Sequence, residues 1–165
     1  MKQLTLLFAV FLGLGTLATA QDIPEQLRGK WVVKRVIPTS TISCWGDRES
    51  KQLIGTEIEY SSDMFRWQDK TTTRPDVTIA TVTAEQFHSE NSGGGAADSQ
   101  VTFRQLGIQA KEAIQVSLSH PEANITGATI EIPGDSVIIK SRNVIIFSVC
   151  NVYFEALRKS HQGKP

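Results

Sequence analysis

Histidine and cysteine are scarce in this chain, three and two among 165 residues. A metal site needs clustered ligands, and His88, His120 and His161 have no ligand spacing with one another or with Cys44 and Cys150. Also missing are the H-E-x-x-H, paired C-x-x-C, G-x-S-x-G and P-loop patterns. Their absence removes sequence support for metal-assisted hydrolysis, acyl transfer at a nucleophile elbow and phosphate-cradling nucleotide binding. Charge of one sign is not in excess either: 17 Lys+Arg stand against 17 Asp+Glu. Nucleic-acid binders gain affinity by releasing counterions to a surplus of Lys and Arg, so no nucleic-acid partner is expected. The expectation is a protein that is not an enzyme, and the sequence leaves any cofactor unknown.

Long apolar runs are missing after the first 20 residues, so no transmembrane anchor is expected. Residues 1–20 are different. Lys2 precedes an apolar run from Leu4 to Leu17, and Ala18-Thr19-Ala20 ends it. The run is shorter than the roughly 20 residues that cross a bilayer. Its small-residue end suits signal peptidase, which predicts a signal peptide and a mature chain starting at Gln21. A secreted or periplasmic location follows, with one domain over 21–160 and a polar tail at 161–165. In an oxidising compartment an even cysteine count reads first as a disulfide, Cys44 to Cys150; two free thiols or a catalytic cysteine are the competing readings.

The mature chain reads as short strands with two helical interruptions. Trp31 to Ile37 is β-branched and aromatic and stops at Pro38. Asp47 to Ile54 suits a short helix with Asp47 as N-cap and Gly55 as stop. Thr56 to Tyr60 alternates, with Thr56, Ile58 and Tyr60 on one face and Glu57 and Glu59 on the other. Met64 to Trp67 fits an extended strand or an exposed contact surface. Val77 to Val82 is a further strand, followed by a helical turn over 84–88 capped by Thr83. Asn91 to Ala97 is a glycine-rich linker. Strands are predicted over 114–118, 128–132, 137–140, 144–149 and 152–157, with turns at 133–135 and 141–143. Seven to nine short strands point to a closed antiparallel barrel or a sandwich.

Leu27-Arg28-Gly29-Lys30-Trp31 at the first strand and Val152 to Arg158 at the last resemble the two ends of a lipocalin-like barrel of the calycin superfamily. The resemblance implies an all-β fold with short helices, a closed antiparallel barrel of about eight strands. It implies that Gly29 and Trp31 help seal one end and that Arg158 packs over the Trp31 indole, an attraction worth about 0.5–2 kcal/mol. Adjacent first and last strands would also bring Cys44 towards Cys150.

A barrel of this size can hold one small ligand. On the phase set by Trp31, the residues expected to line its interior are Arg35, Ile58, Tyr60, Phe147 and Phe154, with Arg35 and Tyr60 orienting a polar group. The expected partner is therefore a small hydrophobic or amphipathic molecule. The alternative is a protein partner, with the chain acting as a periplasmic protease inhibitor or effector-neutralising module and Gln21 to Gln26 as an inserting trunk. Glu57 and Glu59 read as a solvent-facing sheet surface, His120 as part of a surface turn, and Trp45 and Trp67 as packing residues. Asn124-Ile125-Thr126 matches a glycosylation pattern of little weight.

Overall fold

The computed structural model describes residues 21–39, 43–91, 101–120 and 131–160. Within them the chain forms nine strands and two short helices: β1 (Gly29–Ile37), α1 (Asp47–Gln52), β2 (Glu57–Tyr60), β3 (Met64–Trp67), β4 (Lys70–Thr73), β5 (Asp76–Thr83), α2 (Ala84–Glu90), β6 (Glu112–Ser119), β7 (Ser136–Ser141), β8 (Val144–Val149) and β9 (Val152–Arg158). All belong to one sheet in the order β4-β3-β2-β1-β9-β8-β7-β6-β5.

Every pairing in that sheet is antiparallel. Counting alternations outwards from β1 shows that the two edge strands, β4 and β5, run in the same direction. Only Arg74 and Pro75 separate them, and Arg74 has a positive φ of 51°. A flat sheet of this width would hold its edges roughly 38 Å apart. The link from Thr73 to Asp76 reaches at most about 11 Å, so the sheet has to curl. The result is a half-barrel whose edges follow one another in the chain without pairing to each other.

Curling gives the sheet an inner and an outer core. Trp31, Ile58, Tyr60, Phe65, Val116, Val137, Phe147 and Phe154 form the inner one, all almost completely buried. Phe147 stacks on Phe154 with ring centres 5.2 Å apart, and Tyr60 stacks on Phe65 at 5.5 Å. The outer core packs Phe87 of α2 and the turn at 101–108 against Ile138, Ile146 and Tyr153. That turn was not foreseen. Thr102 and Gln105 bond reciprocally, each side chain accepting from the other's backbone N–H, and this sets Val101, Phe103 and Leu106 onto the sheet.

Two helix starts illustrate the local chemistry. Thr83 caps α2 as expected, its hydroxyl accepting the Gln86 N–H while the Gln86 side chain accepts the Thr83 N–H. For α1 the expected cap is corrected. Gly46, not Asp47, precedes the first turn, and the Glu49 carboxylate accepts the Gly46 N–H at 3.2 Å. Asp47 is instead an acid in that turn, where the helix dipole favours it. Of the predicted strand at 128–132, residues 131 and 132 are irregular and the rest lies outside the described residues, as do the signal peptide, the tail, the tripeptide at Asn124 and most of the glycine linker. β4 was missed because Lys70-Thr71-Thr72-Thr73 carries no apolar alternation; Thr72 is nevertheless 7% exposed.

Candidate functional site

The first and last strands meet where β1 starts and β9 stops. Trp31 pairs with Arg158 across the ladder, and the guanidinium carbon lies 4.2 Å from the indole centre. The Arg158 donors go to backbone carbonyls: Nε to Arg142 at 2.9 Å, and the terminal nitrogens to Gln26 at 2.6 Å and to Arg28. Burial and the nearby Arg142 charge lower its pKa. Gly29, with φ at 122°, lets this guanidinium pass, since a Cβ there would sit 2.9 Å from it. The Trp31 indole N–H donates to the Leu27 carbonyl at 2.8 Å.

The segment before β1 closes down on this end. Ile23 and Leu27 are fully buried, and a turn bonds Leu27 N–H to the Pro24 carbonyl. Gln21 to Gln26 is therefore not a free trunk: its middle is anchored in the core, with Ile23 N–H donating to the Ser62 carbonyl.

At the other end of β9 the expected disulfide is formed. Cys44 joins Cys150 with 5.4 Å between α-carbons, tying the segment after β1 to the β8–β9 hairpin. Cys150 and Asn151 both have positive φ, 55° and 63°, which is the two-residue turn that suits the twist of a hairpin. The Ser43 hydroxyl donates to the Cys150 carbonyl and the Glu131 carboxylate accepts the Cys150 N–H.

Four of the five residues expected to line the interior do face it. Ile58, Tyr60, Phe147 and Phe154 are at most 2% exposed and belong to the inner core cluster. Trp45 and Trp67 pack against the same core. Arg35 is the correction. The β1–β9 register shifts between Val33 and Arg35, and this bulge turns both Lys34 and Arg35 outwards. Arg35 grips the Glu155 carboxylate through two bonds of 3.0 Å, and Lys140 approaches the same carboxylate at 3.1 Å. Hydrogen bonding to Arg35, then to Lys140, holds the Glu155 carboxyl below its ordinary value despite partial burial. Its stabilising contribution is present above pH 4.5 and is lost as the pH falls through the lowered folded-state value. In Glu155→Gln the decline of the urea midpoint below pH 4.5 is expected to be shallower than in the parent chain.

His120 also departs from expectation. Its side chain is 1% exposed, and Nε2 lies 3.1 Å from the Asp135 carboxylate. Asp135 further accepts the Ile132 N–H at 2.8 Å, while burial raises its pKa. Beside it the Tyr60 hydroxyl donates to the Gly134 carbonyl at 2.7 Å, and burial pushes the Tyr60 pKa far up. The group seals the turn into β7 against the inner core. The sequence showed only His before Pro; that partner lay fifteen positions away.

An open cleft lies at the Trp31 end of the sheet. A cleft of about 700 Å³ is bounded by Ala113 and Ile114 of β6, Ile139 and Ser141 of β7, the following Arg142, Arg158, and Glu25 and Gln26 of the N-terminal turn, with Glu112 at its rim. Ile114 and Ile139 are cross-strand partners, half-buried, and touch the inner core. Glu25, Glu112 and Arg142 are exposed around them. The alternation at 114–118 was readable in the sequence. Which part of that strand the N-terminal turn would leave uncovered was not. Among the described residues no group of three or more potential metal ligands occurs, and no helix is long and apolar enough to cross a membrane. No protein-family model, curated protein or solved structure matches the chain.

Proposed function

We propose that this is an exported, lipocalin-like binding protein that takes a small amphipathic molecule in the cleft at the Trp31 end. The observation that carries the reading is the apolar Ile114–Ile139 pair, left half-buried beneath a rim with charges of both signs. A site of this kind gains affinity from the apolar floor and orientation from a few polar groups. Arg158 is already engaged with three carbonyls, so Arg142, Glu25 and Glu112 are the groups left to meet a polar head. Tyr60, Phe147 and Phe154 belong to the inner core and are not among the residues that line this cleft.

The eight-stranded closed barrel belongs to the same proposal. β4 and β5 run the same way across a two-residue link, which fits one bent strand over 70–83 that pairs with β3 through its first part and β6 through its second. Strands that bend between neighbours in this manner make the corners of small barrels. The disulfide is compatible with an oxidising, extracytoplasmic compartment.

Binding is tested with the probe 1-anilinonaphthalene-8-sulfonate, whose fluorescence rises in apolar sites. Ile114→Asn is expected to weaken probe binding about tenfold, the cost of losing roughly 1–2 kcal/mol of apolar contact. Phe147→Leu, in the inner core and not lining the cleft, should leave binding within twofold. Equal binding by Ile114→Asn and the parent chain would remove the proposed site.

A further inference from the structure

A neutral chain can still concentrate its charge, and this one does so on the outer face of β1 and β9. A second open cleft, of about 780 Å³, is lined by Arg28, Lys30, Lys34 and Lys159, by the Arg158 that also borders the first cleft, and by Val32 and Leu157; among the described residues no acidic side chain lines it, although Glu57 and Glu59 of β2 stand opposite Val32 and Lys30 in the ladder. Four basic side chains, Arg28, Lys30, Lys34 and Lys159, thus share one surface beside the Arg158 that is held over Trp31. The strand period puts Lys30, Val32 and Lys34 on this face, and the bulge between Val33 and Arg35 turns Arg35 outwards beside them. Arg28 approaches Asp22, Lys159 pairs with Glu57, and Lys30 stands opposite Glu59 and acts on Glu57 as well; both Lys30 and Lys34 are exposed cations.

At the centre of the cations lies an aliphatic pair. Val32 and Leu157 are directly opposite in the ladder, and Leu157, at 36% exposure, is one of only two large apolar side chains exposed among the described residues. β1 and β9 are interior strands of the sheet, so their backbone groups are already paired and offer no edge to an added peptide strand. Surfaces that hold single-stranded nucleic acid add aromatic stacking platforms, and none lines this cleft. Cations surrounding a shallow aliphatic centre match the interfacial layer of an anionic bilayer, which offers phosphate charge and acyl carbon at the same depth.

We propose that the outer face of β1–β9 docks peripherally on an anionic lipid surface. The contact leaves the Ile114–Ile139 cleft on the inner face of the sheet, so it does not depend on that cleft holding a ligand.

The test is co-sedimentation of the exported protein with vesicles of phosphatidylcholine containing phosphatidylglycerol, against vesicles of phosphatidylcholine alone. Binding is expected only to the anionic vesicles and should fall as salt is raised. Each lysine near such a surface is worth about a fivefold change in affinity, so Lys30→Gln/Lys34→Gln should lose roughly 25-fold. A control with the same charge change elsewhere, Lys51→Gln/Lys70→Gln, should bind like the parent, and Leu157→Ser should weaken binding on its own. Equal loss in the control pair, equal binding to neutral vesicles, or binding to heparin or DNA with none to anionic vesicles would each overturn the proposal. Unchanged probe fluorescence in the Lys30/Lys34 variant keeps this result separate from the ligand cleft.

Discussion

Trp31→Ala is expected to lower the unfolding free energy by about 3–5 kcal/mol. The indole is completely buried at the start of β1 and is the largest side chain of the inner core. Its removal leaves a cavity that neighbours from several strands cannot collapse to fill, because the ladder fixes their backbones. Two further losses add to this. The Leu27 carbonyl loses the indole donor at 2.8 Å, and the Arg158 guanidinium loses the aromatic face on which it lies at 4.2 Å. Small domains of this length are stable by only about 5–15 kcal/mol in total, so the variant should unfold at a much lower urea concentration. Trp31→Phe separates the contributions: it keeps most of the packing and should cost well under half as much. A loss below about 1.5 kcal/mol for the alanine variant would mean that the Trp31 end does not hold the sheet together.

Removing the cross-link is the second large effect. Cys44→Ser/Cys150→Ser is expected to cost about 3–4 kcal/mol, within the span seen when long loops are released. The two cysteines are separated by 106 positions, so the bond restrains almost the whole folded unit in its denatured state. The β8–β9 hairpin itself should survive, since its turn rests on Cys150 and Asn151 backbone geometry and on the Val149–Val152 pair. Either single substitution breaks the same bond, so single and double variants should lose similar stability, and a reducing agent should bring the parent chain to the same midpoint. Midpoints that stay apart after reduction would show that the serine side chains, not the lost bond, set the difference.

Both effects lie on one chain of contacts. β9 carries Arg158 at one end and follows Cys150 at the other, and β1 pairs with it along most of its length. Disturbing either end should loosen β1–β9, on whose outer face the cationic surface is laid out.

The pattern of β-branched and alternating residues determined most of the strands, and a threonine before a helical turn the Thr83 cap, because those depend on local period and local capping; the disulfide followed from two cysteines in a chain with an export signal, and the pairing of first and last strands from the likeness of their residues to the ends of a lipocalin-like barrel. Three matters needed the folded molecule. The bulge at β1 sent Arg35 to the outside, where Glu155 holds it, since a single extra residue reverses the facing of all that follows. His120 found Asp135 across a turn, and the 101–108 segment found the outer core, through contacts that have no sequence period. Above all, Ile58, Tyr60, Phe147 and Phe154 could be assigned to the interior from alternation, but the cleft bordered by Ile114, Ile139 and the N-terminal turn depends on how far the sheet curls and where that turn lies, which no sequence period carries.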